Sequence, residues 1–422
     1  MLGISLEFVG VNAEPANKRT TMTTTTSNPS APTRRTLLFR AFSYYVAYII
    51  LGATAAAYGP TLPGLADQTG SVLSQISIIF TVNSLGYVIG SLIGGRLYDR
   101  FPGQPVMAGT LLLMALGLAT IPFAPSLTTI IIAMLVAGFG MGTLNVGNNT
   151  LLVWMFGKDV GPYMNALHFC FGLGAFLSPI LIDRIIVVTG GIAWAYWGMA
   201  LLILPVAFWM TRIPSPSAPM KTAISRNHED EKAFGVGLLT LMAAGLLFLH
   251  VGGELGFGGF IFSYGTEANL GDTTARLLNS TYWGALALGR LVAIPLAARL
   301  LPRTMLFLDY VGAALSLALV ILLPGSSTAL WIGTFGFGFS IASIYATVLN
   351  FTERRVMISG AITSYLLIGG NLGSMTIPWV IGQFFERSGP GSMMLIVALT
   401  IILSLVLLGI MLTNPRGQET ST

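Results

Sequence analysis

The side chains able to do chemistry are few and lie in apolar surroundings. Glu254 sits in the run GGELGFGGF, with His250 four residues before it on the same helix face, and Arg290 interrupts a later apolar run. An acid at the centre of a membrane-spanning helix costs about 2.5–3.5 kcal/mol on insertion scales. Such a residue is kept for a purpose: proton uptake, binding of a cation, or pairing with Arg290. The glycines around it (Gly252, Gly253, Gly256, Gly258, Gly259) let a helix bend or approach a neighbour closely.

A second group is uncharged. Asn145, Asn148 and Asn149 fall at i, i+3 and i+4, one side of a helix. Each amide offers both donors and acceptors, which suits a hydroxyl-rich solute. The plainer reading is interhelical hydrogen bonding, worth about 0.6 kcal/mol per bond in a membrane; three amides on one side exceed what that requires. Asn165 and His168 lie one turn apart in the next run, with Gly172 continuing their face. The histidine either meets solute, relays a proton or bonds a neighbouring helix. Phe257, one turn from Glu254, and Trp283 are aromatic candidates for stacking on a solute's C–H face. Tyr264 and Tyr282 accompany them, although aromatics in such runs more often pack or anchor at the interface. Trp194, Tyr196 and Trp197 read as interface anchors. Asp183, Asp309 and Glu386 lie near the ends of their runs, within reach of the interface.

No nucleophile–base–acid arrangement, metal-spaced Cys/His set or phosphate-cradling loop occurs, so an enzyme and an ATP-driven pump are both excluded as readings. No cofactor is expected beyond a coupling ion, Na+ or H+. Cys170 is the single cysteine and cannot form a disulfide within the chain.

These residues require elements that hold them inside a bilayer. Of 422 residues, 54% are hydrophobic and only 9% charged, with a mean hydropathy of +0.78; soluble domains carry about 25% charged residues. The net charge of +5 arises from loops rather than a clustered basic face, so no nucleic-acid partner is expected. Apolar stretches of membrane-spanning length occur at 37–61, 73–97, 105–124, 127–153, 162–187, 192–212, 234–264, 274–298, 304–323, 327–351, 359–385 and 391–412. The expected fold is all-α, with twelve transmembrane helices in two pseudo-symmetric six-helix bundles. Residues 1–36 read as a disordered cytoplasmic tail without a signal-peptide core, with Met22 an alternative start. Residues 37–212 and 234–413 form the two bundles, 213–233 a polar cytoplasmic linker and 414–422 a second tail. Of the 21 Lys and Arg residues, only Arg184, Arg276 and Arg387 fall on the side opposite the termini, and Arg290 lies within a span. That bias places both termini in the cytoplasm, in a plasma or bacterial inner membrane.

The two bundles read as copies. Gly90, Arg100 and Val106 match Gly289, Arg299 and Met305 at an offset of 199, and Gly174 and Pro179 match Gly373 and Pro378. Parallel duplication of six helices is one way transporters are built, with solute held near the midplane between halves.

Gly95-Arg96-Leu97-Tyr98-Asp99-Arg100 resembles the cytoplasmic loop signature of the major facilitator superfamily, though Phe101-Pro102-Gly103-Gln104-Pro105 replaces its basic end. PYMNALHFCFGLGAFLSPIL (162–181), GGELGFGGFIFSY (252–264) and LNSTYWGALALGR (278–290) resemble the sodium-dependent glucose transporter branch, itself related to the fucose:proton symporters. The resemblance implies the major facilitator fold and alternating-access movement of a sugar or polyol coupled to Na+ or H+, by a chain that works as a monomer. In that branch the position of Asn145 tends to be acidic. Here it is neutral, and the first helix lacks the acid of the fucose symporters, which leaves coupling to the second half. The expected assignment is therefore Asn145, Asn148, Asn149, Asn165, His168, Phe257 and Trp283 toward solute, Glu254 with His250 and Arg290 in coupling, and Gly95, Asp99 and Arg100 in the conformational loop. Competing readings are a proton-driven exporter of drug-like or other small solutes, and a non-transporting sensor with this fold.

Overall fold

The computed structural model describes residues 34–216, 233–355 and 360–413. The tail expected over 1–36, apart from its last three residues, lies outside the described residues, as do Met22, most of the 213–233 linker and the 414–422 tail. The described chain is helical throughout, without a strand. Its helices are α1 (Arg34–Thr69), α2 (Leu73–Ile76), α3 (Ile78–Arg100), α4 (Gly103–Thr120), α5 (Leu127–Phe156), α6 (Gly161–Thr189), α7 (Ala193–Arg212), α8 (Ala233–Glu267), α9 (Asp272–Ala297), α10 (Pro302–Leu322), α11 (Ser327–Ile341), α12 (Ile344–Glu353), α13 (Gly360–Ser388) and α14 (Gly391–Thr413).

With α2–α3 and α11–α12 each read as one interrupted crossing, twelve membrane-length segments result, matching the expected number. Ten are apolar and long enough to span. The other two, α9 and α13, reach the length but carry Arg276, Asn279 and Arg290, and Asn371, Gln383 and Glu386, respectively. Two stretches differ from expectation. The first runs on to Thr69 through Pro60 and Pro63, since neighbouring helices re-satisfy the freed backbone groups. The tenth is broken at Ala342–Ser343.

The duplication is visible in packing. A Cβ on Gly174 would stand 1.9 Å from the Ile49 carbonyl oxygen, and one on Gly373 2.0 Å from that of Phe248; both partners lie 199 positions apart. Likewise Gly90 would meet the Phe139 carbonyl oxygen at 2.1 Å and Gly289 that of Phe339 at 2.4 Å. Only glycine permits these backbone approaches, so the same glycine contacts set α6 on α1 and α13 on α8, and α3 on α5 and α9 on α11. With no hydrophobic drive between helices in lipid, such close packing does much of the holding.

The halves are bonded to each other at one end of the bundle. Arg276 of α9 meets Asp183 of α6 at 3.0 Å, with both side chains under a tenth exposed. Glu386 accepts from the Ser74 amide at 3.1 Å and its hydroxyl at 2.6 Å, and Gln383 donates to the Ser74 carbonyl at 2.6 Å. Thr81 donates to the Met375 carbonyl at 2.6 Å, and Phe260 bridges Phe80 and Phe385. At the opposite end Leu291, Val292, Ile294 and Leu296 of α9 are exposed, as are Gly161, Pro162 and Asn165 of α6. Asp183 is buried and paired with Arg276 rather than reaching the interface as expected, and Asp309 is half-buried, accepting from the Ser343 hydroxyl between α11 and α12. Glu386 alone of the three stays exposed.

Candidate functional site

The first half presents an amide–phenol cluster. Tyr48 of α1 donates to the Asn145 side-chain oxygen, and Asn149 donates to the Asn145 carbonyl at 2.8 Å and to the Tyr48 oxygen at 3.4 Å. His168 of α6 sets its ring edge-on to Tyr48, with centroids 5.7 Å apart, and is exposed. Asn165, one turn away, is also exposed. Asn145 and Asn149 thus keep amide capacity toward the opening while Tyr48 fixes their orientation.

The second half presents charge. Glu254 is 12% exposed and is clasped by Arg290 at 3.3 Å through one oxygen and His250 at 3.4 Å through the other. Tyr282 donates to the Glu254 carbonyl at 2.8 Å, pinning α8 to α9. Arg290 is 29% exposed, so its guanidinium has open donors beside Glu254. Tyr48 and His168 of the other half, as well as His250, lie within electrostatic range of it. Tyr345 of α12 lies within electrostatic reach of Glu254, and of Tyr48 and Tyr87. The cluster from one half therefore faces the ion pair of the other.

Other expected residues lie elsewhere. Asn148 is completely buried inside the first half and makes no hydrogen bond through its side chain; it is displaced from the cavity because it sits 100° around the helix from Asn149. Phe257 is fully buried against Tyr282 and Phe337, at 4.9 and 4.5 Å, and Trp283 is 2% exposed behind Gly258. Both are packing residues here rather than stacking platforms. Tyr196 is not an interface anchor: it is buried, its hydroxyl 2.7 Å from that of Thr61, whereas Trp194 is exposed. Gly95, Asp99 and Arg100 occupy the last turns of α3 rather than a loop, with Asp99 and Arg100 exposed. Tyr48, Tyr87 and Tyr345 went unread in the sequence. A phenol one turn past Tyr44 in the otherwise apolar 46–57 run was the available signal for Tyr48. An apolar groove between α4 and α7, lined by Leu112, Leu116, Trp194 and Leu204, offers no group to a polar solute.

The profile of the Major Facilitator Superfamily matches residues 44–370. The chain belongs to the major facilitator superfamily. Within it, the sequence is 30% identical over 373 residues to the sodium-dependent glucose transporter 1A of Mus musculus, covering 80% of this chain and 88% of that one. It is 30% identical over 370 residues to the sodium-dependent glucose transporter 1 of Homo sapiens, covering 79% and 71%. Among solved structures, a D-xylose–proton symporter superposes with a TM-score of 0.72 at 13% identity, over 88% of this chain and 97% of that one; this likeness bears on the fold. The superfamily assignment makes the chain a secondary transporter of a small solute, placed in the branch the sequence resembled.

Proposed function

We propose that the chain carries a neutral sugar across the membrane by alternating access, as an ion-coupled symporter. The observation that carries this reading is the juxtaposition of the Tyr48–Asn145–Asn149 cluster and His168 of one half with the Glu254–Arg290 pair of the other, in a bundle whose halves are bonded at one end. Amides and phenol supply paired donors and acceptors for hydroxyls, and the guanidinium and carboxylate add directional charge-assisted bonds. The names of the mouse and human relatives point to the same solute class. The two bundles rock about this site, with the 213–233 segment as their cytoplasmic tether. With both termini in the cytoplasm, as the basic residues direct, the sealed end is external and this conformation is inward-open. Gly95, Asp99 and Arg100 then stand at the open end, where α3 must close toward the second half. Glu254, with His250 and Arg290, serves as transducer: a solute hydroxyl competing for Arg290 loosens the pair, which re-forms on release.

Uptake of labelled hexoses into proteoliposomes, under imposed Na+ or pH gradients, tests the proposal. The expected result is saturable uptake raised by one gradient and competed by unlabelled sugar. Absence of uptake for every hexose refutes the sugar reading; uptake indifferent to both gradients refutes symport.

A further inference from the structure

The acids within spans differ in how their charge is met. Glu254 has Arg290 and His250, and Asp183 has Arg276. Asp309 has neither: among the described residues no cation lies within ion-pair distance, and its one bond is accepted from the Ser343 hydroxyl. It stands seven residues past the start of α10, about 10 Å along the axis. An ionised carboxylate at that depth without compensation is strongly unfavourable, so the group is either protonated or held beside a cation that the described chain does not supply.

The surroundings fit a small cation. Ser343 occupies the break between α11 and α12, where the last carbonyls of α11 lack the regular helical partners. The ladder restarts with the Thr347 N–H donating to the Ser343 carbonyl at 3.0 Å. A carboxylate, a hydroxyl and carbonyls at an interrupted helix form the oxygen donor set that hard cations take. The break is also placed to report occupancy. Gly289, next to Arg290, packs so tightly on it that a Cβ would stand 2.6 Å from the Ala342 Cβ. Tyr345, two residues past Ser343, lies within electrostatic reach of Glu254.

We propose that Asp309, Ser343 and the carbonyls ending α11 form a Na+ site whose occupancy sets the break and, through Gly289 and Tyr345, the central pair. This rests on the ion-coupled reading above and names where the ion sits.

Thermal unfolding of the purified full chain, in NaCl against choline chloride at equal ionic strength, tests it. Na+ should raise the midpoint by a few °C in the wild type and in Glu254→Gln, less in Ser343→Ala, and not at all in Asp309→Asn. Hexose should still raise the midpoint of Asp309→Asn, which shows that the variant folds and keeps its solute cavity. A wild type indifferent to Na+, or an Asp309→Asn response equal to that of the wild type, overturns the site. A Na+ response lost in an Asp309→Asn variant that still unfolds cooperatively at the midpoint of the Na+-free wild type, with no hexose response in either protein, upholds the site and removes the sugar reading alone.

Discussion

The Asp183–Arg276 contact is the sharpest lever on the conformational cycle, because it joins the halves at their sealed end and must break for that end to open. Replacing Asp183 by Asn keeps the shape and removes the charge. Arg276 then retains Asp272 at 3.2 Å, but that carboxylate is 69% exposed and an exposed pair is worth about 0–1 kcal/mol. A hydrogen bond to a charged group contributes about 1.5–3 kcal/mol. The sealed state should therefore lose roughly that amount relative to the state open at this end, a shift of about ten- to a hundredfold in their ratio. Arg276→Ala is a poorer probe. It strands Asp183 without a cation and also removes the guanidinium from the Phe262 face, 5.1 Å away.

The assay is a pair of spin labels across the sealed end, after replacing the half-buried Cys170 by Ser. Val188→Cys on α6 is 83% exposed, and Arg387→Cys on α13 is also exposed. Asp183→Asn should move the distance distribution toward the longer separation. Exchanging the charges, Asp183→Arg with Arg276→Asp, should restore part of the short one. An unchanged distribution in Asp183→Asn refutes the claim that this pair holds the halves together.

Other outcomes follow from the same geometry. Gly174→Ala and Gly373→Ala force a methyl onto a facing carbonyl and should each destabilise by about 1–3 kcal/mol, read as a lowered thermal midpoint. Gly95→Ala meets nothing within 4 Å and should leave the midpoint unchanged or raised, since alanine favours a helix by roughly 1 kcal/mol over glycine. Tyr48→Phe releases Asn145 and Asn149 and should raise the KM for sugar severalfold, one lost hydrogen bond being worth about 1 kcal/mol, with little change in the midpoint. Phe257→Ala should do the reverse, costing about 3–5 kcal/mol of stability and leaving the KM of the folded fraction near that of the wild type.

Twelve spans and the duplication were legible because each leaves a local trace, an apolar run of membrane length or a glycine recurring at a fixed offset. The partners of the acids were not. Asp183 finds Arg276 on a helix 93 residues away, and nothing near either residue announces the other. Asp309 read as interfacial because depth was judged from the end of its run, whereas α10 begins at Pro302 and turns the side chain toward a break concealed in the unbroken apolar run GFGFSIASIYA. Helical phase also misled over short spacings. Residues three apart differ by about 60° around the axis, enough to send Asn148 into the first bundle while Asn145 borders the cavity. The same angle turns Phe257 into packing beside the exposed edge of Glu254.

The scaffold repeats while its polar groups do not. At the offset of 199, Tyr48 corresponds to Leu247, Glu254 to Ala55, Arg290 to Ser91 and Asp309 to Thr110. Neutral recognition groups thus gather in one half and charges in the other, so any energy drawn from an ion must cross the cavity. Arg290 pairs with Glu254 and lies within electrostatic range of Tyr48 and His168 on the far side. Arg290→Lys keeps the charge but replaces the planar fork with a point donor. It should retain Na+-dependent stabilisation and raise the KM for sugar, because the bond to Glu254 and a second donor toward solute can no longer be made together. Arg290→Ala leaves Glu254 with His250 alone and should lower stability by about 3–5 kcal/mol, the cost of a buried charge that loses its partner. A wild-type KM in Arg290→Lys, together with a wild-type midpoint in Arg290→Ala, would mean that Glu254 is already neutral and that the pair carries nothing between the halves.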